Sequence, residues 1–161
     1  MRTPSLLFVY GTLLVALVFQ LLPWSSKGVI ARPDFMLVVL LYWFFRAPHL
    51  CNIGTAWIAG ALVDLATGSL LGQHSLAFTL IAYLAISFQR RLVLFNAFQL
   101  LFFTFGLLTL NRLTILILKL FSGNELPNLH YFWPVITGVI LLQVMQFALG
   151  KITQPTSNKA D

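Results

Sequence analysis

Asp64 is the single acidic residue inside a long apolar run, the stretch from Cys51 to Gly72 with the sequence CNIGTAWIAGALVDLATGSLLG. Ala56, Gly60 and Asp64 follow one another at i, i+4 and i+8, so on a helix they share one narrow stripe. Small residues on that stripe let a neighbouring helix come close, and the carboxylate then faces protein instead of lipid. An ionisable group in hydrocarbon costs about 2.5–3.5 kcal/mol on insertion scales, so it faces a partner or a cavity. Two uses follow. Asp64 is either a polar recognition or coupling point, or one half of an ion pair that locks the bundle. The second is the ordinary role of paired charges between membrane helices.

Other chemistry-bearing residues are sparse. There is no phosphate-cradling G-x-x-x-x-G-K-[ST], no H-E-x-x-H and no G-x-S-x-G elbow. Two aspartates and a glutamate spread over turns do not make a general acid/base pair by spacing. His49 and His74 stand alone in sequence and read as loop, hydration or packing residues. Cys51 is the only cysteine, which rules out a disulfide within the chain and a cysteine-type zinc site. No cofactor is called for, and no enzyme class is favoured.

The elements that position Asp64 are set by composition. Hydrophobic residues make up 59% and charged residues 9%, against about 25% charged in a soluble domain. Mean hydropathy is +0.90. At about 20 apolar residues per span, 161 residues leave room for five or six membrane helices and no soluble domain. The expected architecture is all-α, a polytopic bundle of six transmembrane helices. Their approximate limits are 5–23, 34–46, 51–67, 73–88, 92–112 with an extension to 121, and 132–150, followed by a polar tail over 151–161. Pro33 and Asp34 suit the first turn of the second helix. Gly68 and Gly72 mark the turn after the third.

The net charge of +6 is scattered between apolar segments, as topology signals are, and is not a nucleic-acid footprint. Six spans put both termini on one side. Arg2, Arg46, Arg90, Arg91, Lys151 and Lys159 then share that side, against Lys27, Arg32 and Lys119 on the other, so the termini are expected in the cytoplasm. Asp34, Asp64, Arg32 and Arg112 consequently converge at the opposite end. An Arg–Asp cluster there, with Arg32 or Arg112 as the partner of Asp64, is the expected polar centre. Snorkelling to the interface is the other reading of Arg112.

Between Arg32 and Tyr83 the chain resembles the MreD family of bacterial rod-shape-determining membrane proteins. The marks are Arg32-Pro33-Asp34, Leu41-Tyr42-Trp43, Ala47-Pro48, Asn52-x-Gly54, Gly60, Asp64, Gly68, Gly72 and Tyr83. Beyond Arg91 only the hydropathy is similar. The resemblance implies a non-enzymatic scaffold of the cell-elongation machinery in the inner membrane. It would support lateral peptidoglycan synthesis with MreC, most directly, and with MreB, RodA and its transpeptidase partner. It also implies a compact bundle like the substrate-binding components of vitamin transporters. That brings an alternative, a small-molecule-binding subunit of a transporter. The family marks give Arg32, Pro33, Asp34, Gly60, Asp64, Gly68 and Gly72 structural or interaction roles; Arg112 joins them on charge alone.

Overall fold

The computed structural model describes residues 5–23, 32–92, 94–123 and 129–153. The expectations for Trp24, Lys27, most of the 122–131 loop and the tail past Thr153 fall outside these residues. Six α-helices and one short 3-10 turn make up the described chain, without a strand. They are α1 (Leu6–Leu21), α2 (Phe35–Arg46), α3 (Ile53–Thr67), α4 (Gln73–Leu92), α5 (Ala97–Phe121) and α6 (Trp133–Thr153), with the 3-10 turn at Leu129–Phe132.

α2 is the axis of the molecule. All nine residues from Met36 to Phe44 are buried, as expected of a helix that is apolar on every side. It packs against α1, α3, α4 and α6. Two side chains pin it to α1 in antiparallel register. Gln20 Oε1 accepts the Phe35 N–H at 2.9 Å, and Thr12 Oγ1 accepts the Trp43 indole N–H at 2.9 Å. Gln20 thereby satisfies one of the first-turn N–H groups that a helix leaves unpaired. The helix stops where Pro48 disfavours helical backbone at Ala47.

The remaining helices alternate in direction around this axis. Ser5 caps α1 through its Oγ and the Phe8 N–H. Thr55 Oγ1 returns to the Asn52 N–H at the start of α3, and Gln99 does the same for Asn96 before α5. Gly68, at φ 64°, closes α3 in the left-handed conformation that glycine adopts without strain. Outside the core the helices stay apolar. Leu7, Leu14, Leu65, Leu71, Phe102 and Phe147 are all largely exposed, an exterior that suits lipid and not water.

Helix length departs from the six-span expectation. Among the described residues, Ala97–Phe121 and His130–Ala148 are long and apolar enough to cross a membrane, and the other four apolar stretches are shorter. α2, with 12 residues, rises about 18 Å against a hydrocarbon core of about 30 Å. It can be short because its ends are completed by protein. Pro33, Asp34, Ala47 and Cys51 are buried irregular backbone, which is tolerated at depth where neighbouring helices cover it. α5 begins at Ala97 and runs on past Arg112 to Phe121 as one helix, so the expected extension from 112 to 121 is continuous with the span.

Candidate functional site: two carboxylates at one end of the bundle

Asp34 and Asp64 lie at the same end, at the start of α2 and the close of α3, and each organises its own set of partners. Asp64 is fully buried. Its carboxylate accepts the Gly72 N–H at 2.9 Å, the His74 N–H at 3.0 Å and the Ser69 hydroxyl at 2.9 Å. His74 Nδ1 approaches Oδ1 at 2.7 Å, and the Ser75 N–H and hydroxyl lie at 3.4 Å. The Gly72 N–H immediately precedes α4, and the His74 and Ser75 N–H groups belong to its first turn. Asp64 is therefore an N-terminal cap supplied by the preceding helix, placed where the α4 dipole favours negative charge.

The approach of α3 to α4 makes this possible. A Cβ on Gly60 would stand 2.5 Å from Ser75 Cα and 2.6 Å from Ser75 N, so the backbones touch there and only glycine fits. Ala56, Ala59, Gly60, Val63 and Asp64 form the buried face of α3. Gly72, at φ 97°, turns its N–H onto the carboxylate. The stripe of small residues is thus spent on α4 within the chain.

Asp34 stands at the N-cap of α2, yet its side chain does not cap that helix. It reaches α5 instead. Arg112 Nη2 donates to Asp34 Oδ1 at 3.1 Å, and Asn111 Nδ2 donates to Oδ2 at 3.2 Å. Arg112 continues into an aromatic contact, its guanidinium carbon 5.4 Å from the Tyr131 ring centroid, with Lys119 Nζ 5.7 Å from the same ring. Both are within cation–π range. Tyr131 OH donates to the Arg112 carbonyl at 3.5 Å. One ion pair and its neighbours therefore tie α2, α5 and the turn before α6 together.

The arginine partner expected for Asp64 is thus not found: Arg112 belongs to Asp34, and Asp64 takes His74. His74 is not solitary, because the turn between Gly68 and Gly72 folds it back ten residues onto the carboxylate. That spacing across a glycine-bounded turn was the available signal. Asn111 and Tyr131 carried none, since their partners come from remote segments. Arg32, just before Asp34, has a buried Nε with no acceptor among the described residues. Burial lowers its pKa from the ordinary value, and the nearby Asp34 charge opposes that shift. His49 is exposed, as a loop residue should be. Among the described residues no three His, Cys, Asp or Glu side chains gather as a metal-binding set.

An all-helical bundle with an apolar exterior, in which Asp34 and Asp64 are buried and paired with Arg112 and His74, has the build of a small integral membrane protein. The chain belongs to the MreD family: the family model described as rod shape-determining protein MreD matches residues 2–155. The rod shape-determining protein MreD of Haemophilus influenzae is similar, 34% identical over 70 residues that cover 44% of this chain and 43% of that protein. The chain thus spans less than half the length of this curated relative. No solved structure matches, so the expected likeness to vitamin-transporter components has no support.

Proposed function

We propose that this chain is a non-enzymatic scaffold of the bacterial inner membrane that maintains rod shape by supporting lateral peptidoglycan synthesis alongside MreC and MreB. In this reading residues 1–150 form one six-helix transmembrane domain, with residues 151–161 as a polar tail and both termini in the cytoplasm. MreC is the most direct partner, with RodA and its transpeptidase in the same assembly. The observation that carries the reading is the family match over residues 2–155. The site geometry supports it. Asp34, Asp64, His74 and Arg112 are engaged with one another or with backbone, so they serve the bundle and are not free to line a solute site. This weighs against the alternative of a solute-binding transporter subunit. Partner contacts then fall on the exposed apolar helix faces and not on the Ala56–Gly60 stripe.

Depletion of the protein tests the reading. Depleted cells are expected to become round, and the wild-type chain to restore rods. Reporter fusions at Asp161 and near Asn124 are expected to give opposite compartment signals. Depleted cells that stay rod-shaped, with a growth defect cured by a supplied solute, contradict the scaffold reading. Matching reporter signals contradict the six-span topology.

A further inference from the structure

Opposite charges are sorted by end in this bundle. The two described carboxylates, Asp34 and Asp64, lie together and are engaged with Arg112 and His74. Arg46, Arg90 and Arg91 stand at the other end, in the last turns of α2 and α4. From Gln73, beside the Asp64 cap, to Arg90 is 17 residue steps, about 26 Å at 1.5 Å per residue. Neither described carboxylate comes near Arg90 or Arg91, and both arginines are exposed.

Depth says which anions they meet. The 20 residues of α4 rise about 30 Å, the thickness of the hydrocarbon core. With its first turn at one face of the core, its last turn reaches the headgroup layer at the other, where the anions are lipid phosphates.

Arg91 is held in place at that level. Its guanidinium carbon stands 5.9 Å from the Phe88 ring centroid, within cation–π range. The Phe88 ring lies 5.7 Å from that of Phe103, which also gathers Phe45 at 6.4 Å and Phe95 at 6.0 Å. Rings from α2, α4, the α4–α5 turn and α5 thus make one floor beside the guanidinium. A stacked guanidinium presents its N–H fork in a set plane, the geometry that meets a phosphate with two parallel bonds. Arg90, one residue earlier, adds a second positive charge.

The apolar part of a lipid has a place as well. The Leu94 N–H donates to the Arg91 carbonyl at 3.0 Å, so Leu94 stands beside Arg91. Leu94, Phe98 and Phe102 are largely exposed, and the two rings lie 5.7 Å apart along α5. From here α5 runs back toward the Asp34 end, so an acyl chain beneath a phosphate on Arg91 lies against this ridge.

We infer that the end of α4 binds one anionic phospholipid of the adjoining leaflet, its phosphate on Arg91 with Arg90 as a second charge, and its chains against Phe98 and Phe102. Lipid is favoured over an acidic protein segment because phosphates already stand at that depth at high density. The site is independent of the scaffold reading and of which compartment this end faces.

Native mass spectrometry of the full chain, released from nanodiscs of equal phosphatidylglycerol and phosphatidylethanolamine, reads the site directly. The wild type should retain one phospholipid and prefer phosphatidylglycerol by about 25-fold, from about fivefold for each basic residue near the surface. Arg90→Gln should leave about fivefold, and Arg90→Gln with Arg91→Gln should leave no preference. Arg91→Lys keeps the charge but loses the planar fork, so it should lower the preference by at least about threefold, while Arg90→Lys leaves it unchanged. Both side chains are exposed, so these variants should melt like the wild type. Lys119→Gln, at the Asp34 end, removes the same charge and should leave the preference as it was. A preference that survives the double change, or that Lys119→Gln lowers equally, overturns the proposal. So does a wild type that holds no lipid, or a second copy or acidic protein that is lost with the arginines while the lipid stays.

Discussion

Gly60→Leu is expected to remove the folded protein from the membrane, and even Gly60→Ala should lower its stability by about 3 kcal/mol, the upper end for overpacking a tight site. The atoms in the way are Ser75 Cα and N and His74 C, all within 2.7 Å of the added Cβ. Backbone has no rotamer to escape into, so α3 and α4 must move apart. That movement also pulls Asp64 off the Gly72, His74 and Ser75 N–H groups. Gly106→Ala in α5 is the control, because its Cβ meets nothing within 4 Å. It should gain about 0.5–1 kcal/mol from reduced backbone freedom. Melting both variants in detergent separates the two signs. A Gly60→Ala protein as stable as the wild type would show that α3 does not pack on α4 at this distance.

Asp64→Ala comes next in size. It leaves the N–H groups of Gly72, His74 and Ser75 and the Ser69 hydroxyl without their acceptor, in a place that water reaches poorly. Breaking a buried charged pair costs about 3–5 kcal/mol, most of it from the partners left behind. Asp64→Asn keeps the shape and one acceptor oxygen but turns an NH₂ group toward other donors. Its loss should be about half as large, since one side of the cap remains. Thermal melting with a fluorescent fusion measures both. If Asp64→Ala shifts the midpoint by less than a degree, the carboxylate is not the cap that its contacts describe.

Part of this arrangement was readable from the chain. Alternating apolar blocks and glycine-bounded turns pointed to an all-helical protein, and the Ala56, Gly60, Asp64 spacing pointed to a close neighbour on that side of α3. These are local patterns with a fixed period. The identity of the partners was not readable in the same way. Arg112 and Asp34 are 78 residues apart, and nothing in the periodicity of either helix says that α5 lies beside the start of α2. His74 was within reach, since a ten-residue return across two glycines brings its ring to Asp64. The short α2 was unreadable for another reason. A helix walled in by its neighbours is not measured against the bilayer, so hydropathy length does not set its ends.

In the proposed reading the Asp34–Arg112 pair holds the bundle together, and rod shape depends on it only through the fold. Exchanging the ion pair tests it most directly, by comparing melting midpoint and cell shape in the same strains for Asp34→Arg, Arg112→Asp and the two combined. Each single change leaves two like charges facing each other in a poorly solvated site, so both should melt early and give rounded cells. The combined exchange restores opposite charges and should recover part of the midpoint and, in step with it, rod shape. An exchanged protein that melts like the wild type yet leaves cells round would mean that Asp34 or Arg112 acts on something outside the bundle, and the claim would fail.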